Sequence, residues 1–366
     1  MQESHFEQNT DKSFSGNFVT MDNNLLLFNI VGIIPETEIA KTYELELNNS
    51  KPLKFIPGQF LTFIINLGKQ EVRRSYSITS IPGEALKITV QKVDNGLISR
   101  HILNSWRVGD NLVSLPPMGR FTLHRQAHGK RDIFCFAAGS GIIPVLPQIR
   151  TLLVKEPQSL IHLVYSNTNE RKTLFLAQIE ELKQNHDHLE VTFLFSEPAF
   201  RIKERGRLSN LYTQDLVNLQ LRYNRSEAVF LICGPFTYMR MLGITLVSMH
   251  FRKENILREN FIPEIMRSGY ISQPKFPEME MNIEVNGQDN RLLVESGQDI
   301  LTAALQKGLI LPYSCRGGVC GSCAAICKSG KVYMSINEVL TDDDIKSGWV
   351  LTCTGYPAEE GTTITF

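Results

Sequence analysis

The sequence has no excess of charge of either sign, no long apolar run and no cysteine framework. Lysine plus arginine number 38, as do aspartate plus glutamate. The chain as a whole therefore offers neither the basic surface that nucleic acid demands nor a polybasic attachment to an anionic membrane. The stretch from Met1 to Asn24 is polar, contains Glu and Asp, and lacks the apolar centre of a secretory signal, so residues 1–24 read as a disordered tail. The most apolar window, Ala228 to His250, is interrupted by Gly234-Pro235 and by Arg240. That fits a buried strand followed by a helix, not a membrane span. There are seven cysteines, with Cys135 and Cys233 inside apolar runs. This excludes a secreted disulfide scaffold and makes the cytoplasm the expected compartment. Internal repeats and low-complexity tracts are missing too.

What the chain does have is 366 residues, 42% of them hydrophobic, enough for two or three packed domains. Its charge is unevenly spread. From Met279 to Phe366 there are 11 acidic residues against 6 basic, a net of −5, so the remainder carries +5.

Three blocks follow the tail. Residues 25–128 show short alternating runs such as LKFIPGQFLTFIINL, broken by Pro-Gly and Asn-Gly turns, the pattern of an antiparallel barrel or sandwich. In residues 129–270, apolar runs such as IFCFAAG, LIHLVYS and VFLICGP alternate with helical stretches, among them one carrying Phe175, Ile179 and Leu182 on a single face. That alternation predicts an α/β domain built on a parallel sheet. Residues 271–278, including QPKFP, read as an extended linker, and residues 279–366 as a small third domain.

The third domain carries the strongest chemical signal. Cys315, Cys320 and Cys323 stand in C-x4-C-x2-C spacing, and Cys353 follows in VLTCTGYP. This is the plant-type ligand arrangement for a [2Fe-2S] cluster, whose loop glycines let backbone N–H groups approach the sulfides. A zinc site would show two C-x2-C pairs instead. Cys327 lies four residues beyond Cys323, about 13 Å away along an extended strand, and is expected to be a bystander. Such a cluster passes single electrons, so a source should be encoded elsewhere.

Arg74-x-Tyr76-Ser77, preceded by Pro57-Gly58-Gln59 and followed by Gly96-x-x-Ser99 and VGDNLVSLPPMGRF, resembles the flavin-binding barrel of the ferredoxin-NADP reductase superfamily. The resemblance implies that Arg74 pairs with a flavin phosphate, Tyr76 covers the ring, Ser77 sits at flavin N5, and Gly96 and Ser99 receive the pyrophosphate. Gly139-Ser140-Gly141-Ile142-Ile143-Pro144 follows a predicted strand and opens a helix, as a nicotinamide-cofactor pyrophosphate loop must, with Pro144 suited to the first helical position. Ile143 is bulkier than the family's usual residue, and Pro147 is an extra proline. Cys233-Gly234-Pro235 resembles the element beside the nicotinamide, with Met239 one turn into the next helix, and Glu259-Asn260-Phe261 resembles the acidic and aromatic pair that closes the site. Asn167, Arg171, Arg205 and Arg207 are the candidates for a 2′-phosphate grip, which tips the expected donor toward NADPH over NADH.

The order flavin barrel, nicotinamide domain, ferredoxin resembles the reductase components of bacterial oxygenases, most closely the phenylacetyl-CoA oxygenase reductase type. The implied fold is an antiparallel β-barrel, an α/β domain with a parallel sheet and an α+β β-grasp ferredoxin domain. The implied cofactors are FAD, NAD(P)H and a [2Fe-2S] cluster. The implied function is hydride transfer to FAD, with Ser77, Cys233 and Glu259 at the reacting centre, then electron delivery through the cluster to an oxygenase or other metalloprotein. Other readings are a terminal NAD(P)H oxidase or small-molecule reductase, and a redox sensor without turnover. Neither nucleic acid nor integral membrane association is expected, and oligomeric state is not encoded legibly. The acidic run Asp342-Asp343-Asp344 and the pair Glu359-Glu360 are expected to steer the third domain toward a basic surface, on its own flavin body or on the acceptor, or to serve solubility alone.

Overall fold

The computed structural model describes residues 25–48, 52–68, 70–93, 95–123, 130–261 and 276–366; the tail at 1–24 and most of the linker at 271–278 lie outside them. The first block is six strands: β1 (Leu26–Thr37), β2 (Ala40–Leu47), β3 (Phe60–Leu67), β4 (Gln70–Ser77), β5 (Leu86–Gln91) and β6 (Asn111–Ser114). Their order is β4-β3-β6-β1-β2-β5, with every pairing antiparallel. The sheet's two ends meet where Ile78 bridges Ile88 and the Thr79 N–H donates to the Lys87 carbonyl at 2.8 Å, which closes the barrel at that point. Alternate residues point inward, so Phe28, Ile30, Leu61, Phe63 and Ile88 fill the interior. Trp106 meets Tyr43 and Phe63 edge-on at 5.4 and 5.5 Å. Helix α1 (Leu97–Ser105) begins at Gly96 and buries Ile98 and Ile102 against that core.

The second block is a five-stranded parallel sheet of β7 (Asp132–Ala138), β8 (Leu160–Asn167), β9 (Leu189–Phe195), β10 (Val229–Cys233) and β11 (Ile256–Glu259), ordered β11-β10-β7-β8-β9. The strands read as continuous apolar runs because both faces are covered. Ile133, Cys135 and Ala137 pack against α2 (Ile142–Lys155) and α3 (Leu176–Asn185). Phe134 and Phe136 pack against α4 (Asn210–Gln220) and α5 (Phe236–Ser248). The chain leaves β7 for β8 on one side and returns to β10 on the other, so the crevice at their carboxyl ends is the topological switch point where such sheets bind ligands. The opposite end is clasped shut. His162 lies between Asp132 (3.0 Å) and Glu190 (3.4 Å), and Asp132 accepts the N–H groups of Arg222 and Tyr223 at 3.0 and 2.7 Å. Burial opposes a charge on Asp132, but the His162 bond and the two amides outweigh it and hold the carboxyl below the usual carboxylate range.

The start of α2 differs from the expected one. A short 3-10 turn over Gly139–Gly141 precedes the helix, so Pro144 is the third helical residue and not the first. Its missing N–H still falls in the first turn, where no intrahelical acceptor exists. Pro147 lies inside the helix and removes one ladder bond.

The third block forms a mixed sheet of β12 (Met279–Val285), β13 (Gln288–Val294), β14 (Ala324–Ser329), β16 (Trp349–Leu351) and β18 (Thr363–Thr365), ordered β13-β12-β18-β14-β16. The β12–β18 pairing is parallel and the others are antiparallel. Helix α6 (Ile300–Gln306) lays Ile300, Leu301, Ala303 and Ala304 on it, giving the β-grasp arrangement. Strands β15 (Val332–Met334) and β17 (Gly355–Pro357) pair beside it, and the short helix α7 (Asp342–Lys346) starts at a Thr341–Asp344 capping box. Among the described residues no helix is long and apolar enough to cross a membrane.

Candidate functional site

The three blocks enclose a cavity of about 950 Å³, at the upper end of the roughly 300–1,000 Å³ range of cofactor sites. Its wall combines Arg74, Tyr76 and Ser77 of β4, Gly96 and Ser99 at the start of α1, Glu259 of β11, and Cys315 and Cys320 of the cysteine loop. Strand β4 is an edge of the barrel sheet outside the Ile78 closure, which frees its side chains to face this space.

On the barrel side, Tyr76 packs against Phe63 with ring centres 6.3 Å apart, and Arg74 is fixed by donating Nη1 to the Arg73 carbonyl at 2.7 Å. The Ser99 hydroxyl accepts the Val93 N–H at 3.1 Å and bonds the Gly96 carbonyl at 3.3 Å. It is thus committed to shaping the turn, while the first amides of α1 carry no side-chain cap among the described residues and face a cavity suited to an anionic group. A barrel edge with an arginine, an aromatic ring and an uncapped helix start fits an FAD.

At the far wall the Ser77 hydroxyl lies beside the Glu259 carboxyl, whose Oε2 is buried without a hydrogen-bond partner among the described residues. Burial is the main cause of the rise of the Glu259 pKa from an ordinary 4.5 to about 8, and the neighbouring Ser77 hydroxyl moderates it. Cys233 pairs with Glu259 across β10 and β11. Its thiol is fully buried and pushed far above the usual thiol range, first by burial and then by the neighbouring carboxyl. The structure thus brings Ser77 and Glu259 together in the cavity and sets Cys233 one layer behind its wall.

The Glu259 shift sets a testable pH dependence. A folded-state pKa raised above the unfolded value means that the folded protein holds the extra proton. The contribution is therefore complete below about 4.5 and is lost as pH rises through about 8. The slope is roughly 1.4 kcal/mol per pH unit. Glu259→Gln is expected to flatten that slope, read as melting temperature against pH; parallel curves for variant and parent would contradict the assignment.

The nicotinamide-loop residues come together by backbone contact. A Cβ on Gly141 would stand 2.0 Å from the Cys233 carbonyl oxygen, and one on Gly234 would stand 2.9 Å from the Ala138 Cβ. The Gly139-Ser140-Gly141 and Cys233-Gly234-Pro235 segments thus touch at the switch point, in the cradle a dinucleotide needs, with Ser140 and Ile143 reaching the cavity.

Several expected residues lie elsewhere. Met239 is 4% exposed and packs in the core beneath the sheet with Leu242 and Leu246, because positions three and four apart share the buried face of α5. Asn167, at the end of β8, leaves its buried Nδ2 without a hydrogen-bond partner among the described residues. Arg171 is exposed on a short 3-10 turn, while Glu170 beside it turns inward and accepts the amides of Ala199, Phe200 and Arg201 at 2.8, 3.1 and 2.7 Å. Arg205 and Arg207 line a second cavity of about 870 Å³ with Lys183 and Lys203, at the outer edge of β9.

In the third block, Cys315, Cys320, Cys323 and Cys353 are gathered close together, Cys353 next to both Cys315 and Cys323. The Gly317 amide donates to the Cys315 Sγ at 3.2 Å and the Ser322 amide to the Cys320 Sγ at 3.5 Å. Gly318 has φ +70° and a Cβ there would lie 2.5 Å from the Ile336 carbonyl oxygen, so only glycine lets the loop wrap this tightly. Four convergent soft thiols with amides aimed at sulfur fit a [2Fe-2S] cluster. Cys327 points away and donates to the Ser329 carbonyl at 3.4 Å.

Of the contacts between blocks, the sequence signals only the pull of the acidic run toward a basic surface. Arg120 pairs with Asp344 and lies over the Trp349 ring at 5.5 Å, so one acid of the Asp342–Asp344 run is engaged with the flavin block. Such contacts join positions more than 200 apart in sequence and leave no local pattern.

Comparison with known proteins agrees with this architecture. Residues 33–123 match the oxidoreductase FAD-binding domain, 136–243 the oxidoreductase NAD-binding domain, and 283–358 the 2Fe-2S iron-sulfur cluster binding domain. The chain is 30% identical over 318 residues to one of the subunits of the 1,2-phenylacetyl-CoA epoxidase of Escherichia coli (strain K12), covering 86% of this chain and 89% of that one. It is 27% identical to the ferredoxin reductase component of 3-ketosteroid-9-alpha-monooxygenase from Rhodococcus rhodochrous, over 93% of this chain and 97% of that one. Its fold is similar to that of phthalate dioxygenase reductase, with a TM-score of 0.59 at 20% identity over 93% of this chain and 98% of that one. With a flavin barrel, a nicotinamide crevice and a four-thiol loop around one cavity, the chain belongs to the ferredoxin-NADP reductase superfamily as a three-domain, FAD- and [2Fe-2S]-dependent reductase component of the oxygenase type.

Proposed function

We propose that this reductase takes its electrons from NADPH in the cytoplasm and supplies them to the oxygenase component of a multicomponent system, the kind of system to which its relatives belong. The observation that carries this reading is that Ser77 and Glu259 line the same cavity as Cys315 and Cys320, so the hydride-accepting and electron-releasing ends share one space. When bound, FAD accepts a hydride from the nicotinamide and the [2Fe-2S] cluster passes the electrons on singly. Arg74 neutralises phosphate charge from a position that its bond to Arg73 fixes. Tyr76 holds one side of the ring site. Ser77 and Glu259 share the cavity wall, and Glu259, its pKa raised by burial, keeps a proton next to the reacting centre. Gly141 seats the pyrophosphate loop on Cys233. Cys315, Cys320, Cys323 and Cys353 ligate the cluster. The cationic cavity of Lys203, Arg205 and Arg207 supports NADPH as the donor, through the 2′-phosphate.

An anaerobic titration with NADPH and then NADH, followed by flavin absorbance and by the EPR signal of the cluster, tests the reading. Fast flavin bleaching by NADPH, followed by a rhombic [2Fe-2S] signal, is expected. A flavin that bleaches while the cluster stays oxidised would overturn the path, and faster bleaching by NADH would overturn the donor assignment.

A further inference from the structure

Strand β4 serves two tasks. Arg74 and Tyr76 line the cavity. Arg73, 9% exposed, points the other way, where its guanidinium sits 4.3 Å from the centre of the Tyr313 ring and donates Nη1 to the Leu311 carbonyl at 3.3 Å. Its Nε donates to Glu71 at 3.0 Å, which fixes the fork. Arg316, inside the cysteine loop and at φ +48°, stacks at 4.7 Å on the same tyrosine ring, so Tyr313 is held between one guanidinium from the barrel and one from the loop. Two residues along β4, the Ser75 hydroxyl meets the Ser314 hydroxyl at 2.7 Å, next to Cys315, and is braced by Thr62 at 2.8 Å.

We propose that Arg73 is a positioning residue for the step between flavin and cluster. It clamps the segment Leu311–Ser314 onto β4 and thereby sets the separation between the cavity and the thiols at Cys315 and Cys320. This inference rests on the electron path proposed above and adds the element that fixes its geometry. A planar guanidinium that stacks and forks does this in a way an ammonium cannot, and a largely buried cation–π contact plus a charged hydrogen bond is strong enough to hold a domain face in register. Electron transfer falls steeply with distance, so loosening this clamp slows the second step and leaves the first alone.

The test uses the full-length, cofactor-loaded protein with Arg73→Gln and Arg73→Lys. In rapid mixing with NADPH, flavin bleaching is expected at the parent rate in both. Cluster reduction in Arg73→Gln is expected to slow several-fold, because a larger separation weakens electron tunnelling, with Arg73→Lys in between. A second readout needs no turnover: amide hydrogen exchange across residues 311–314 in the oxidised protein, expected to rise in Arg73→Gln. Unchanged cluster reduction in Arg73→Gln would overturn the proposal, as would an equal loss in flavin bleaching, since that would make Arg73 a structural support of the flavin site. If instead the parent's own cluster stayed oxidised after bleaching, the electron path itself would fail, and this inference with it.

Discussion

Cys353→Ser is expected to abolish cluster-dependent electron delivery while NADPH still bleaches the flavin. Cys353 arrives from the far side of β16, 5% exposed, in contact with both Cys315 and Cys323. The Thr352 hydroxyl beside it donates to the Cys323 carbonyl at 3.0 Å, so the two segments are already tied where the sulfurs meet. Serine keeps the shape but replaces a soft thiolate with a hard, weakly acidic hydroxyl that holds iron poorly. Loss of the cluster also removes a cross-link between the loop and the segment after β16, so the domain is expected to melt at a lower temperature. The checks are iron content, visible absorbance and the EPR signal of the reduced protein. Cys327→Ser is the control and is expected to retain all three, because that thiol bonds the Ser329 carbonyl away from the loop. A full cluster in Cys353→Ser, or its loss in Cys327→Ser, would refute the ligand set.

The second large effect concerns Gly141→Ala. Its φ of −60° is open to any residue, so the obstacle is space alone. The added methyl would lie 2.0 Å from the Cys233 carbonyl oxygen and 2.4 Å from its carbonyl carbon. Both are backbone atoms of β10, which is hydrogen-bonded to β7 and β11 on its two sides. No side chain can swing clear, so the loop must lift from the strand. The nearby Gly139 at φ +55° has no described atom within 4 Å of where a Cβ would stand, and Gly139→Ala should cost only the roughly 1–2 kcal/mol of a left-handed residue. Gly141→Ala is expected to lower kcat/KM for NADPH about 100-fold, the scale of a misplaced reactant, while dithionite still reduces flavin and cluster. Parent-like bleaching by NADPH in this variant would show that the loop's seat on Cys233 is not what positions the donor.

Much of the site is legible in the sequence because its chemistry is written in contiguous residues. The cysteine spacing, the Gly139–Gly141 turn and Arg74-x-Tyr76-Ser77 each occupy one loop or strand, and a short span fixes their relative geometry. Met239 lies in the core and not at the nicotinamide, although the signal for this is present: with Leu242 and Leu246 it forms a helical apolar stripe, and such a stripe faces a core. Pro144 is displaced by a 3-10 turn that no residue preference announces. Arg171 lies at the surface because Glu170 is drawn inward by three amides of a distant loop, a tertiary choice invisible locally. The Ser75–Ser314 contact joins separate domains far apart in sequence, which no periodicity can encode, whereas the Arg120–Asp344 pair is foreshadowed only by the charge of the acidic run.

The two-residue period of β4 has a consequence for how such a protein can be rebuilt. Arg74 and Tyr76 occupy one parity of the strand and line the cavity, while Arg73 and Ser75 occupy the other and grip the third domain, although Ser75 and Ser77 of that second parity also border the cavity. Inserting or deleting a single residue there would exchange the two sets at once, whereas point substitutions can alter either set by itself. A foreign ferredoxin module could therefore be grafted onto this barrel by redesigning Arg73 and Ser75 while Ser77 is kept, provided the length of the strand is left untouched.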